Sequence, residues 1–209
     1  MKNEKYEITD IAHEKYPFLH RIRALRAIGP GVKAGDLGGF VESESNLSYE
    51  AGDDAWLYDD AVSAGTAFVD KNSRLRDQAV ACERAYVSQG SIMHDNTRAE
   101  DSAYLRGALL ERNARASGNS MILDSPDTGL HPCLSGNCAV YGTVMGSIQI
   151  KGSAVVFGSE EIRNDSMDSY VISNQGRSIV RDPSRDELAP MPQGDEREHN
   201  HHRKQGLTR

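Results

Sequence analysis

The sequence predicts an all-β fold: a single-stranded parallel β-helix, in which short strands wind into stacked coils. Small residues recur at every sixth position, apolar residues follow two positions later, and turn-forming residues fill most of the remainder. Residues i and i+2 of a strand face the same side, so each hexad supplies one short strand with two inward side chains. Such a strand buries little by itself, whereas stacked coils bury a continuous core.

The repeat is clearest between residues 55 and 105. Nine successive steps of six each carry a small residue: Ala55, Ala61, Ala67, Ser73, Ala79, Ala85, Ser91, Thr97 and Ala103. Eight of the nine residues two positions further are apolar: Leu57, Val69, Leu75, Ala81, Val87, Met93, Ala99 and Leu105, with Ser63 as the exception. After Ala103 the repeat shifts by one residue and continues with Ala108, Ala114 and Ser120, so the coil is expected to extend past this point.

Residues 1–50 do not follow the repeat and are predicted to form an N-terminal cap that leads into the first coil. The segments KYEITD and FLHRIRAL are typical of short strands, and Gly29–Gly31 of a turn. A helix across His13–Leu25 is the alternative, although Pro17 lies inside it. A cap is expected because the open end of a β-helix exposes unpaired strand edges.

The other boundaries follow from breaks in the repeat. The β-helix is predicted to span residues 51–160, with the turn-rich segment Ser125–Gly136 as a loop. Residues 161–180 are expected to form a terminal coil or a cap. Residues 181–209 are charged and nearly free of large apolar side chains, which predicts a disordered tail.

Composition narrows the classes of function. The formal net charge of −7 argues against a general nucleic-acid binder, which needs a basic surface. No apolar run is long enough for a membrane span and the N-terminus lacks a signal-peptide core, so a cytoplasmic protein is expected. Cys82, Cys133 and Cys138 lack metal-site spacing and fit a reducing compartment.

The tail contains a His-rich stretch with His199, His201 and His202. A disordered chain holds a metal ion weakly, so no metal site is predicted there.

Two segments near the N-terminus, together with the hexads, resemble a known family of repeat proteins. RIRAL at Arg21–Leu25, followed by VKAGDLGGFVESESNLS at Val32–Ser48 and then by hexads, resembles hexapeptide-repeat proteins of phages, prophages and enteric bacteria. Their usual label is transferase, and the resemblance covers roughly Lys5 to Gly158. It implies a left-handed β-helix with three hexads per coil, a trimer, and a bacterial host cell as the location. The label rests on fold analogy, which does not fix function.

With three hexads per coil, outward side chains 18 residues apart should stack in columns. The first column contains Phe68, Tyr86 and Tyr104 and continues to Met121 after the shift. The second contains Trp56, Arg74, Ile92 and Leu109, and the third Val62, Val80, Arg98 and Arg115. An exposed aromatic column is typical of a contact surface, so an interface is predicted at Phe68, Tyr86, Tyr104, Met121 and Trp56. The alternative is that outward positions of strands simply favour aromatic residues.

Two histidines are candidate catalytic bases. The acyltransferases that share this coil use a histidine to take a proton from the acceptor while acyl-CoA lies between subunits. By that resemblance the base is His131, in the predicted loop, or His94, which follows the inward Met93. Both also fit ordinary solvent-facing positions. No sequence pattern commits to CoA, so acetyl-CoA or another acyl-CoA is expected only if the protein is an enzyme.

Three functions remain to be separated. The first is a non-catalytic scaffold of phage type that binds a host protein or a small molecule through its faces or its intersubunit grooves, in a host-interaction or anti-defence role. The second is an acyl-CoA-dependent acyltransferase. The third, an acidic DNA mimic, ranks low because the acidic residues of the hexads are interleaved with Lys and Arg. The aromatic column and the weak catalytic signal favour the first.

Overall fold

The computed structural model describes residues 2–182, which form a left-handed β-helix of about seven turns, as the hexads and the resemblance predicted. The N-terminal segment forms a cap with an antiparallel sheet and a short 3-10 helix at Glu44–Asn46. The cap strands are β1 (Tyr6–Ala12), β2 (His20–Ala24) and β3 (Leu37–Val41).

The coil consists of short parallel strands, three to a turn. Its first turns contain β4 (Trp56–Leu57), β5 (Val62–Ser63), β6 (Phe68–Val69), β7 (Arg74–Leu75), β8 (Val80–Ala81), β9 (Tyr86–Ser88), β10 (Ile92–Met93), β11 (Arg98–Ala99) and β12 (Tyr104–Arg106). Its later turns contain β13 (Leu109–Arg112), β14 (Arg115–Ala116), β15 (Met121–Leu123), β16 (Cys133–Gly136), β17 (Ala139–Val140), β18 (Thr143–Gly146), β19 (Ile148–Gly152), β20 (Val155–Val156) and β21 (Glu161–Asn164). A hairpin follows, with β22 (Ser169–Ser173) and β23 (Gly176–Val180).

Stacking of the turns produces three sheets within residues 2–182. The cap sheet has the order β1-β2-β3-β5-β8-β11-β14-β17-β20 and therefore continues from the N-terminal cap into the coil. The hairpin sheet has the order β23-β22-β19-β16-β13-β10-β7-β4. The aromatic sheet has the order β21-β18-β15-β12-β9-β6.

The core is a narrow column of small and medium side chains. All nine small residues of the repeat between Ala55 and Ala103 are at most 1% exposed, and so are all nine residues two positions further along. Each hexad therefore contributes two inward side chains, as predicted. The second is larger on the hairpin and aromatic sheets, but on the cap sheet of these turns it is also small, at Ser63, Ala81 and Ala99. Three strands meet around each turn, which leaves little space for aromatic rings inside and explains the low aromatic content.

One corner of the coil is held by a ladder of aspartates. Asp59, Asp77 and Asp95 adopt positive φ angles of 52°, 55° and 59°, which Asp tolerates better than most residues. The Asp59 carboxylate accepts the N–H of Asp77 at 3.2 Å, and the Asp77 carboxylate accepts the N–H of Asp95 at 3.0 Å. The Asp95 carboxylate in turn accepts the N–H of Arg112 at 2.8 Å. These carboxylates tie each turn to the next.

Three boundaries differ from or refine the predictions. The segment His13–Leu25 is not a helix, because β2 occupies most of its second half. The predicted loop Ser125–Gly136 is too long, since its last four residues pair as β16 with β13. Residues 161–180 complete the last turn and add the β22–β23 hairpin to the hairpin sheet.

The predicted disordered tail lies outside the described part of the chain from residue 183 onward. Among the residues that are described, none belongs to a helix long and apolar enough to cross a membrane.

Candidate functional site

The aromatic face is the outward column of the aromatic sheet, formed by Phe68, Tyr86, Tyr104 and Met121. Register pairs Phe68 with Tyr86, Tyr86 with Tyr104, and Tyr104 with Met121, as the sequence predicted. The ring centroids are 5.9 Å apart for the first pair and 5.2 Å for the second, with interplanar angles of 20° and 12°. The three rings are half-buried and Met121 is 40% exposed. Because neighbouring rings cover each other's faces, the column presents ring edges outward.

Tyr86 is fixed in this stack by a hydrogen bond that the sequence did not indicate. Its hydroxyl donates to Asp70 Oδ2 at 2.8 Å and accepts from Ser88 Oγ at 3.3 Å. Burial, followed by the contact with Asp70, raises the pKa of Tyr86, so the hydroxyl remains a donor at neutral pH. Asp70 is 7% exposed, and its Oδ1 has no hydrogen-bond partner among residues 2–182. Asp70 therefore orients the Tyr86 ring through one carboxylate oxygen, while its other carboxylate oxygen is buried without a hydrogen bond, which is unfavourable.

The predicted interface was wrong about Trp56. Trp56 begins the second column, in register with Arg74, but the cap covers it and leaves it 1% exposed. Its ring meets the edge of Tyr6 at a centroid distance of 6.3 Å and an angle of 72°. Hexad position alone gives the outward direction of a side chain but does not show that a separate segment packs over it.

His94 lies in a corner between two carboxylates. Its Nδ1 is 3.0 Å from Asp95 Oδ2, and its Nε2 is 3.4 Å from Glu111 Oε1. Both ring nitrogens therefore face carboxylates of the protein, which leaves neither of them open to an acceptor substrate. Asp95 lies in the same turn as His94, and Glu111 lies in the following turn. The imidazole therefore forms side-chain contacts at a corner of the coil.

The His94 corner also contains the donor set that comes nearest to a metal site in the described chain. The ligand atoms of Asp77, His94 and Asp95 lie within 4.8 Å of one another. The two carboxylates already accept backbone N–H groups of the aspartate ladder. The arrangement therefore has a structural explanation without an ion.

His131 lies at the end of the loop between β15 and β16. It is exposed and lines an open cleft of about 260 Å³, whose other lining residues are Gln89, Gly90, Ile92, Gly107, Ala108, Leu109, Asp124 and Gly129. The buried Ser125 fixes the loop, since its hydroxyl donates to Asp165 at 2.7 Å and its carbonyl accepts from Gly129. His94 does not line this cleft, so the two candidate histidines belong to separate sites.

Several charged residues of the outer faces form ion pairs. Arg98 Nε lies 3.0 Å from Glu100, and Arg106 Nε lies 2.5 Å from Asp124. Cys138 is buried at 1% exposure, and this burial raises its pKa to about 11. Burial also raises the pKa values of Cys82 and Cys133, so none of the three is an activated nucleophile at neutral pH.

Comparison of the chain with models of protein families, with curated proteins and with solved structures finds no match. The site must therefore be judged on its own geometry. Sequence reasoning located the aromatic face and both histidines but missed Asp70 and Glu111. The signal for these partners was available in the register, because Asp70 is two residues beyond Phe68 and Glu111 is two beyond Leu109.

Proposed function

We propose that the protein is a non-catalytic β-helical scaffold that binds a macromolecular partner through the aromatic face. The observation that carries this proposal is the in-register stack of Phe68, Tyr86 and Tyr104, extended by the exposed Met121. Partly exposed aromatic side chains and Met are enriched in protein interfaces. The backbone beneath them is a rigid sheet, so little conformational entropy is lost on binding.

The geometry of the stack favours a flat protein surface as the ligand of this face. A planar small molecule or a sugar ring binds to exposed aromatic faces, whereas here the inner ring faces are covered by their neighbours at 5.2 and 5.9 Å. A strip of ring edges with a Met at one end is complementary to a flat apolar surface. The proposed partner is two further copies of the chain, which gives a trimer. A host protein is the second kind of partner that this strip of ring edges fits.

Three further features are proposals of the same kind. The resemblance in residues 21–48 supports membership in the hexapeptide-repeat proteins of phages and prophages, and with it action inside a bacterial host cell. A host-interaction or anti-defence role is compatible with such a scaffold. The DNA-mimic function has little support, because Arg98, Arg106 and other basic side chains pair with the acids of the outer faces.

A second candidate function has one observation in its favour. His131 lines the cleft beside the loop, together with the apolar Ile92 and Leu109. If the protein is an acyl-CoA-dependent acyltransferase, His131 is the base that the geometry favours over His94, since His94 is bracketed by Asp95 and Glu111. The proposed cofactor is then acetyl-CoA or another acyl-CoA.

The decisive experiment introduces a charge into the aromatic face and measures assembly. Tyr104→Asp should reduce the molar mass in light scattering towards that of a single chain, because a charge in a desolvated contact weakens it strongly. Ile92→Asp is the matched control, since Ile92 is an outward strand residue on the hairpin sheet and is 36% exposed. An unchanged mass and unchanged partner binding in Tyr104→Asp would sink the scaffold proposal for this face.

The same samples separate the two functions. Calorimetric titration with acetyl-CoA and with free CoA should give no saturable heat for a scaffold. Binding at about one site per chain that is lost in His131→Ala, while the mass is retained, would replace the scaffold by the transferase.

A further inference from the structure

The two tyrosines of the aromatic face differ in the surroundings of their hydroxyl groups. The Tyr86 hydroxyl donates to Asp70 Oδ2 at 2.8 Å and accepts from Ser88 Oγ at 3.3 Å. The Tyr104 hydroxyl is not enclosed and forms no hydrogen bond with any of residues 2–182. One hydroxyl is therefore satisfied within the chain, whereas the other is left to solvent.

The register of the strands explains this difference. Tyr86 pairs with Phe68, so Asp70, two positions beyond Phe68, lies where its carboxylate reaches the Tyr86 hydroxyl. One turn later Ser88 occupies the same position, and its hydroxyl donates to Tyr86. Tyr104 therefore lacks the carboxylate acceptor that Tyr86 has.

Asp70 acts on the aromatic face through Tyr86. Asp70 is 7% exposed, its side chain forms one hydrogen bond among residues 2–182, and its Oδ1 is buried without a partner. The backbone of Asp70 bonds to the Val87 carbonyl and to the Ser73 N–H without the carboxylate. A half-satisfied buried carboxylate is unfavourable for folding. What this carboxylate does determine is the hydrogen bonding of the Tyr86 hydroxyl.

The difference between the two hydroxyls has a consequence when the face enters a contact. A hydroxyl that loses water without gaining a partner weakens binding by about tenfold or more. The Tyr86 hydroxyl keeps its partner within the chain, so an apolar surface can cover this ring without that loss. The Tyr104 hydroxyl has no such partner, so the surface that covers it must supply a hydrogen-bonding group.

We propose that Asp70 determines the specificity of the aromatic face, because it withdraws the Tyr86 hydroxyl from the contact and leaves the Tyr104 hydroxyl as the polar group that a partner must bind. The fitting partner is a protein surface that is apolar opposite Tyr86 and offers a hydrogen-bonding group opposite Tyr104. Asp70 is then a positioning residue, since it acts through Tyr86. This role rests on the proposed function of the face, whose first partner is a further copy of the chain.

The test compares full-length variants by sedimentation, which gives the concentration at which the chains associate. Asp70→Ala leaves the Tyr86 hydroxyl without its acceptor, so association should weaken about tenfold. Asp70→Ala combined with Tyr86→Phe has no hydroxyl to desolvate at this position, so most of the lost association should return. A purely structural role of Asp70 predicts no such rescue.

Tyr104→Phe tests the other half of the face. Association should again weaken about tenfold, because the group on the partner then remains unpaired. This variant removes one solvated hydroxyl, so it folds and keeps the proposal testable even where Asp70→Ala does not. Asp10→Ala is the control for net charge, since it removes one negative charge from an exposed position of β1 and should associate as the wild type does. Circular dichroism confirms that each variant is folded.

Three results overturn the role of Asp70: undiminished association of Asp70→Ala, a double variant that stays as weak as Asp70→Ala, or undiminished association of Tyr104→Phe. Tyr104→Asp, measured alongside, separates this failure from that of the proposed function. If Tyr104→Asp lowers the mass while one of the three results is found, the face is a contact and only the role of Asp70 is wrong. If Tyr104→Asp leaves the mass unchanged, or the wild type is a single chain at every concentration, assembly through this face is wrong and the role of Asp70 fails with it.

Discussion

The two ends of the β-helix solve the same problem in different ways. At the N-terminal end the cap folds over the first turn, so that Trp56 and Tyr6 are each 1% exposed and pack edge to face. At the C-terminal end Phe157 is 65% exposed and the whole of β23 is exposed. Stacked coils need a cover at each end because their last strands have no neighbour. Within residues 2–182 the chain covers the N-terminal end itself, whereas the other end presents a strand edge and exposed apolar side chains.

The largest expected difference between the ends concerns their aromatic residues. Trp56→Ala should lower the free energy of unfolding by about 3–5 kcal/mol, because it opens a cavity between the cap and the first turn. Phe157→Ala should change it by no more than about 0.5 kcal/mol, since most of that side chain is already in water. Urea unfolding at low protein concentration, where end-to-end contacts are absent, measures both. Equal losses in the two variants would mean that the ends are equally packed.

Only part of this difference between the two ends could be predicted from the sequence. The inward hexad positions were predictable because each strand buries the same two positions, from Ala55 and Leu57 onward. The columns were predictable because register repeats every turn, as for Tyr86 and Tyr104. The cover over Trp56 was not predictable, because the cap has no repeat and its packing depends on long-range contacts with Tyr6.

The candidate sites could likewise be predicted only in part. Periodicity placed His94 on the outside of a strand end, but its bracketing by Asp95 and Glu111 depends on the one-residue shift in the following turn. The edge of β23 could not be recognised from the hexads, because the hairpin that contains it does not follow them.

The second prediction concerns Lys5, a buried charged residue of the capped end. Lys5 is 1% exposed and donates a hydrogen bond from Nζ to the carbonyl of Ser48 at 2.8 Å. Burial lowers its pKa to about 8, against a partial opposing influence of Asp53. The unfolded chain therefore holds this proton more tightly, which costs stability in full below pH 8 and progressively less up to about pH 10.5.

Lys5→Met removes this cost while keeping an apolar stem of similar length. At pH 7 the variant should be more stable than the wild type by on the order of 2–4 kcal/mol, less the lost hydrogen bond to Ser48. The gap between the two proteins should narrow as the pH rises from 7 to 10. The comparison must be made between the two proteins at each pH, because the raised pKa values of the three thiols lower the stability of both above about pH 9. A gap that stays constant with pH would show that Lys5 is not a buried cation.

The smallest of the three effects concerns the contact between β3 of the cap and the first turn. A Cβ at Gly39 would lie 2.2 Å from the carbonyl oxygen of Ala61 and 2.9 Å from Leu57 Cβ. Gly39→Ala should therefore push the cap outward and cost about 1–3 kcal/mol. Gly31→Ala is the matched control, because a Cβ there meets nothing within 4 Å. Limited proteolysis tests the location of the effect: cleavage within residues 1–50 should accelerate in Gly39→Ala and not in Gly31→Ala, while cleavage within the coil should not change. If Gly39→Ala resists the protease as well as the wild type does, the cap packs more loosely on the first turn than the position of β3 indicates. The two ends would then differ less than the exposed fractions of Trp56 and Phe157 suggest.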